Sequence, residues 1–184
     1  MQPKRKGRDV KKRIVVGISG ASGAIYAIRM LEVLLGIDEL ETHLVISDAS
    51  ETTINAETRF TVDYVKSLAD TWHDNNNIGA AIASGSFATA GMVIVPCSMK
   101  TLSGIAHSYN DNLLIRAADV SLKERRKLVL VVRETPFHTG HLKLMLQASE
   151  NGAVIAPAIP AFYTRPETID DIINQSVGRI LDMF

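Results

Sequence analysis

The chain has 184 residues, 46% hydrophobic and 22% charged, which fits one globular domain with a sizeable core. Formal net charge is zero, which argues against nucleic acid as the main partner. One cysteine, Cys97, excludes an intrachain disulfide framework and suits a reducing compartment such as the cytoplasm, and no apolar run is long enough to span a membrane.

The charge is unevenly spread. Residues 1–13 hold seven Lys/Arg and one Asp, so the remainder holds thirteen Lys/Arg against nineteen Asp/Glu. The basic start lacks an apolar stretch and is not a secretory signal; residues 1–12 read as a flexible leader ahead of a domain over 13–184.

Ile14-Val15-Val16 reads as a buried strand, and it breaks into Gly17, Gly20 and Gly23 with Ser19 and Ser22 between them. Helical spacing follows from Ala24 to Leu35. Strand, glycine turn and helix make a phosphate cradle, because small residues let the backbone approach and the helix-start N–H groups face an anion. The spacing is G-x-x-G-x-x-G, not G-x-G-x-x-G, which weakens a dinucleotide reading and leaves a mononucleotide, or a bare tight turn, open.

Thr42–Ile46 is the second strand, ending at Ser47-Asp48, from which a helix runs toward Glu57. Residues 58–80 read as polar and irregular, with Asp74-Asn75-Asn76-Asn77 a surface loop. Met92–Val95 is the third strand, closed by Pro96 and followed by a helix through Leu102 to His107. Asn112–Arg126 is helical, Leu128–Val132 is a fully apolar strand, Leu142–Ser149 is helical and Ala153–Ala156 is a strand. Pro166 to Met183 closes the chain as a helix, with start signals at Pro166 and Thr168. The alternation predicts an α/β fold: a Rossmann-like, three-layer, doubly wound and mainly parallel sheet in a single domain.

Such folds bind ligands at the carboxyl ends of the strands, which here are Ser19–Gly23, Ser47, Cys97–Thr101, Arg133-Glu134 and Pro157–Tyr163. Arg133-Glu134 stands out, because a charged pair directly after five apolar residues is costly unless satisfied or used. A strand-end ion pair is the plain alternative. Lys123-Glu124-Arg125-Arg126 reads as a solvated helix end whose cations suit the dipole. Cys97 has no histidine at a telling offset and reads as a small buried hydrophobe, not a nucleophile. His138 and His141 stand at i and i+3 without an acidic partner, so no protein-built metal site is expected.

Seven segments, in order, resemble one family: G-I-S-G-A-S-G-A at 17–24, T-H-L-V-I-S at 42–47, S-G-S-F at 84–87, P-C-S-M-K-T-L-S-G at 96–104, R-A-A-D-V-S-L-K-E-R-R at 116–126, V-R-E-T-P at 132–136 and P-A-F-Y-T-R-P at 160–166. Together they resemble the UbiX-type flavin prenyltransferases, within a homo-oligomeric flavin-containing decarboxylase-like superfamily. The resemblance implies an enzyme that binds FMN and dimethylallyl phosphate and joins the five-carbon unit to N5 and C6 of reduced flavin, without a metal. The product, prenylated FMN, is implied to serve a UbiD-type decarboxylase in ubiquinone biosynthesis or aromatic acid breakdown. A homo-oligomer, specifically a dodecamer, is implied as well.

Carried over by motif, Gly20, Ala21, Ser22, Ser47, Ser98, Met99, Lys100, Thr101 and Arg133 contact FMN. Arg116, Lys123, Arg133, Glu134, Tyr163 and Arg179 surround the allyl phosphate, and Ser22, Glu57, Glu134 and Lys123 take the catalytic roles, Ser22 and Glu57 moving protons near flavin N5. These residue types suit the chemistry. Breaking an allylic C–O bond puts negative charge on the departing phosphate, which fixed cations and Tyr or Arg donors stabilise. Two other readings share the fold: an FMN-dependent decarboxylase of cysteine-type carboxylates, and a non-catalytic FMN carrier. Family members often continue into a Trp-bearing tail, whereas the sequence given ends at Phe184, and the basic start has no counterpart in the motifs.

Overall fold

A computed structural model describes residues 11–184. Six strands form one sheet in the order β3-β2-β1-β4-β5-β6, and every neighbouring pair is parallel. The strands are β1 (Lys12–Ile18), β2 (Leu40–Ile46), β3 (Thr71–Asp74), β4 (Gly91–Cys97), β5 (Lys127–Val132) and β6 (Val154–Ile155). The order reverses between β1 and β4, both of which follow one another in space but not in sequence, and that is the switch point at which doubly wound sheets bind ligands.

The central strands are apolar on both faces because both faces are covered. On one side, Val16, Leu44, Val93 and Val129 pack under α1 (Ala24–Leu35), α2 (Asp48–Glu57), α3 (Val62–Ser67) and α7 (Ile169–Leu181). On the other, Val15, Met92, Ile94 and Leu130 pack under α4 (Met99–Ala106), α5 (Leu113–Lys123) and α6 (Thr139–Glu150).

The fold departs from the sequence reading in five places. Residues 58–80 are not irregular: Thr61 caps α3 through its side chain, and Thr71–Asp74 forms the edge strand β3. Paired on one side only and partly exposed, β3 needs no apolar run, so hydropathy does not reveal it. Pro96 does not close β4, which continues to Cys97; the register with β5 shifts between Ile94 and Cys97, and an irregularity of that kind accommodates a residue without an N–H. The closing helix starts at Ile169, not Pro166, because Thr168 and Asp171 form a reciprocal capping box. Helix α6 starts a turn before Leu142, at Thr139, where His138 accepts the Gly140 N–H. Of the basic leader, residues 1–10 lie outside the described residues, and Lys12 already belongs to β1.

Candidate active site

The glycine turn leaves β1 at the switch point and runs between two clefts. On one side, Ser22, Gly23 and Tyr26 face Arg133, Glu134 and Phe137 across a cleft of about 370 Å³. Val131, Val132, Pro96 and Ile159 give it apolar walls. On the other side, Gly20, Ser47, Ser98, Lys100 and Thr101 surround a smaller cleft of about 240 Å³. A groove of about 350 Å³ holding Tyr163 and Arg179 adjoins the first cleft through Pro157, Ala158 and Ile159.

Each part is built by local chemistry. Gly23 has φ 102°, a left-handed conformation that L side chains rarely adopt, and no side chain caps α1 there. The cap comes from elsewhere: the Glu57 carboxylate accepts the Gly23 N–H at 2.8 Å. Gly20 passes close to α2, and a Cβ on it would lie 2.4 Å from that of Ala49. Ser47 caps α2 by accepting the Ser50 N–H, and Ser98 caps α4 by accepting the Thr101 N–H. Both helix starts therefore open on the smaller cleft with Lys100 beside them, a donor set that fits a phosphate. The apolar walls of the larger cleft fit the flat ring of a flavin. The two clefts on either side of one glycine turn thus match the two ends of FMN.

The motif residues fall into three places. Ser22, Arg133 and Glu134 line the larger cleft, with Glu57 bonded to its rim at Gly23. Gly20, Ser47, Ser98, Lys100 and Thr101 line the smaller one, with Ala21 in the turn between and Met99 half-buried at the start of α4. Tyr163 and Arg179 share the adjoining groove, where Tyr163 is 83% exposed. Arg116 and Lys123 join neither cleft of the same chain. Arg116 donates to the Ala83 carbonyl at 3.3 Å and pairs with Asp119 at 3.2 Å. Lys123, at the far end of α5, pairs with Glu124 and faces a separate groove with Arg125 and Lys127.

Cys97 is fully buried, and burial pushes its thiol up to about 12, so it is no thiolate nucleophile. Among the described residues, no group of three or more His, Cys, Asp or Glu side chains is placed to hold a metal ion, and no helix is long and apolar enough to cross a membrane. Sequence reading missed the cleft walls Tyr26 and Phe137, while Ile159 lies in the strand-end stretch Pro157–Tyr163 that it did single out. Tyr26 could have been found by its place in the first turn after the glycines; Phe137 carries no spacing signal.

Fold and clefts describe an α/β flavoprotein, and a family model described as Flavoprotein matches residues 3–181. Flavin prenyltransferase UbiX of Salmonella typhimurium is 63% identical over 173 residues, covering 94% of this chain and 92% of that protein. A crystal structure of AnUbiX (PadA1) in complex with FMN and dimethylallyl pyrophosphate superposes with a TM-score of 0.92 at 50% identity, covering 94% and 91% of the two chains. A dodecameric FMN-dependent UbiX-like decarboxylase from Escherichia coli O157:H7 gives 0.92 at 49% identity, covering 94% of each chain. The chain belongs to the UbiX-type flavin prenyltransferase family of flavoproteins.

Proposed function

We propose that this chain transfers a dimethylallyl group from dimethylallyl phosphate to reduced FMN, making prenylated FMN. The observation that carries the reading is the pair of clefts around one glycine turn, with the Tyr163–Arg179 groove opening off the apolar one. Bound reduced FMN supplies an electron-rich ring able to accept the five-carbon unit.

The chain's own residues supply the rest. Ser47, Ser98, Lys100 and Thr101, with the α2 and α4 starts, hold the flavin phosphate end. Gly20, Ala21 and Met99 offer backbone beside it, and Arg133 meets the ring. Arg179 and Tyr163 hold the donor phosphate and stabilise the charge it gains as the C–O bond breaks. Glu134, in the larger cleft that this groove adjoins, is placed to exchange a proton with that phosphate, and Ser22 and Glu57 serve the ring side. Arg116 and Lys123 complete the phosphate site only from a neighbouring copy, since their own chain commits them to other faces. That placement supports a homo-oligomer, for which we take a dodecamer as the form. We assign the protein to the cytoplasm and its product to a UbiD-type decarboxylase.

Anaerobic incubation with reduced FMN and dimethylallyl phosphate tests the proposal. The expected result is a flavin heavier by one five-carbon unit. Tight FMN binding without that gain would instead make the protein a carrier, and carbon dioxide release from a cysteine-type carboxylate would make it a decarboxylase.

A further inference from the structure

We propose that Ser19 is a positioning residue of the cofactor site: its buried hydroxyl fixes the glycine turn and the start of α4 relative to each other. The inference rests on the reading that the two clefts hold FMN.

Ser19 directly follows β1 and is 1% exposed, so it touches no ligand itself. Its Oγ donates to the Pro96 carbonyl at 2.8 Å and accepts the Ser98 N–H at 2.7 Å. Its own N–H also donates to the Pro96 carbonyl, at 3.2 Å. The hydroxyl thus uses its donor and an acceptor lone pair on two backbone groups of one neighbouring strand end.

Those groups flank the functional turn. Ser98 caps α4 and, with Thr101 and Lys100, lines the smaller cleft. After Ser19 come Gly20, which lines the smaller cleft, and Ser22 and Gly23, which line the larger. One residue further along β4, the Cys97 carbonyl accepts the Arg133 N–H at 3.0 Å. The hydroxyl, beside the Ser19 N–H, therefore sets the β1 turn against the β4 turn, and it alone of the two reaches Ser98; the β4 turn is in turn pinned to the end of β5. Beyond Ile18 the main chain keeps one bond between these strand ends, from the Ser19 N–H to the Pro96 carbonyl, and the hydroxyl adds the tie that reaches past β4 to Ser98. Alanine at position 19 leaves the Ser98 N–H without its buried acceptor, and the start of α4 relaxes toward water.

FMN titration of the apoprotein, followed by flavin fluorescence and visible spectrum, tests this on Ser19→Ala, Ser19→Thr and Ser121→Ala. Ser121 is a control: it is also buried, and its hydroxyl donates to the Ala117 carbonyl at 2.9 Å within α5, away from both clefts. Ser19→Ala is expected to weaken FMN binding about tenfold, the order a lost buried hydrogen bond allows, while its melting temperature falls no further than that of Ser121→Ala. Ser19→Thr keeps the hydroxyl and is expected to recover most of the affinity. In the wild type, the Ser98 amide is expected to exchange far more slowly than the Lys100 amide. Unchanged affinity in Ser19→Ala, an equal loss in Ser121→Ala, no recovery in Ser19→Thr, or fast exchange at Ser98 would each overturn the assignment. Should Ser19→Ala not fold, the wild-type exchange and the Thr variant still decide it. Failure of the wild type to bind FMN would overturn the functional reading instead.

Discussion

The carboxylate of Glu57, the last residue of α2, accepts the backbone N–H of Gly23 across 2.8 Å, so an acidic side chain 34 positions away closes the glycine turn. Glu57 thus has a positional task besides any proton chemistry, and substitutions separate the two. Glu57→Gln keeps an acceptor oxygen and should bind FMN within a few-fold of wild type while prenyl transfer falls. Glu57→Ala removes a charge-assisted bond, worth about 1–2 kcal/mol, and should weaken FMN binding as well. Titration and single-turnover rates on both variants check this; equal FMN affinity in the two would mean the contact positions nothing.

Gly23→Ala tests the same turn from the backbone. An L residue at φ 102° is strained, costing about 1–2 kcal/mol, and the added Cβ would meet the Tyr26 ring at 3.2 Å. Tyr26 is a wall of the larger cleft. The expected outcome is a lower melting temperature together with weaker FMN binding, measured by calorimetry and fluorescence.

The sheet was legible wherever strands are buried on both faces, because Ile14–Val16, Thr42–Ile46, Met92–Val95 and Leu128–Val132 are near-continuous apolar runs. It was illegible at β3, where an edge position removes the need for apolar residues. The glycine turn and the serine caps were legible because strand ends, glycines and hydroxyls follow one another in sequence. The positions of Arg116 and Lys123 were not, since a motif names residue types without saying which face of the fold they occupy, and here both lie away from the two clefts. Ser19 showed the opposite failing: it lies inside the most visible motif, yet its partners, Pro96 on β4 and Ser98 at the start of α4, are 77 and 79 positions away.

Cys97→Ala should leave prenyl transfer within about twofold of wild type and cost about 1 kcal/mol of stability, as a small deletion in a packed strand does. The thiol is sealed in the core, and its ionisation is suppressed by burial. Turnover and denaturant unfolding of the variant measure both. Loss of turnover with FMN binding preserved would restore the cysteine as a reacting group.

His43 and His73 predict a pH dependence of stability. His43 is 3% exposed, and its Nδ1 lies 2.9 Å from His73 Nε2, while its Nε2 lies 3.2 Å from Glu41, which also takes Arg13 at 3.0 Å. Facing imidazoles at that distance share one proton comfortably and repel when each carries a charge. Burial lowers the pKa of His43 against the opposing pull of Glu41, and burial followed by the His43 charge lowers that of His73. A base whose folded pKa is depressed stabilises the fold above its unfolded value of about 6.5 and loses that contribution as pH falls through the folded pKa. Wild-type stability should therefore be flat in this respect above about pH 6.5 and decline below it. His73→Gln, which can still donate to His43 Nδ1 but does not titrate, should flatten the acid limb in urea unfolding series. An unchanged acid limb in that variant would assign the decline to other groups.

Arg179 and Tyr163 test the donor phosphate site. They come from the last helix and a loop, and they meet in one groove beside the larger cleft. Arg179 is exposed, and its pairing with Asp182 at 3.9 Å is a surface contact that contributes little to stability. Tyr163 is exposed as well. Neither side chain is therefore needed for folding, and both are free to serve a ligand. Arg179→Ala removes charge stabilisation worth about 2–4 kcal/mol at a developing phosphate anion, so prenyl transfer should drop steeply. Tyr163→Phe removes one neutral donor and should cost less, about 1 kcal/mol. FMN affinity and melting temperature should barely move in either variant if, as proposed, the flavin phosphate end lies in the other cleft, which Ser47, Ser98 and Thr101 line. Stopped-flow prenylation beside FMN titration reads both quantities. Wild-type turnover with dimethylallyl phosphate in both variants would place the donor phosphate outside this groove, whereas poor FMN binding with early melting would make the two residues structural.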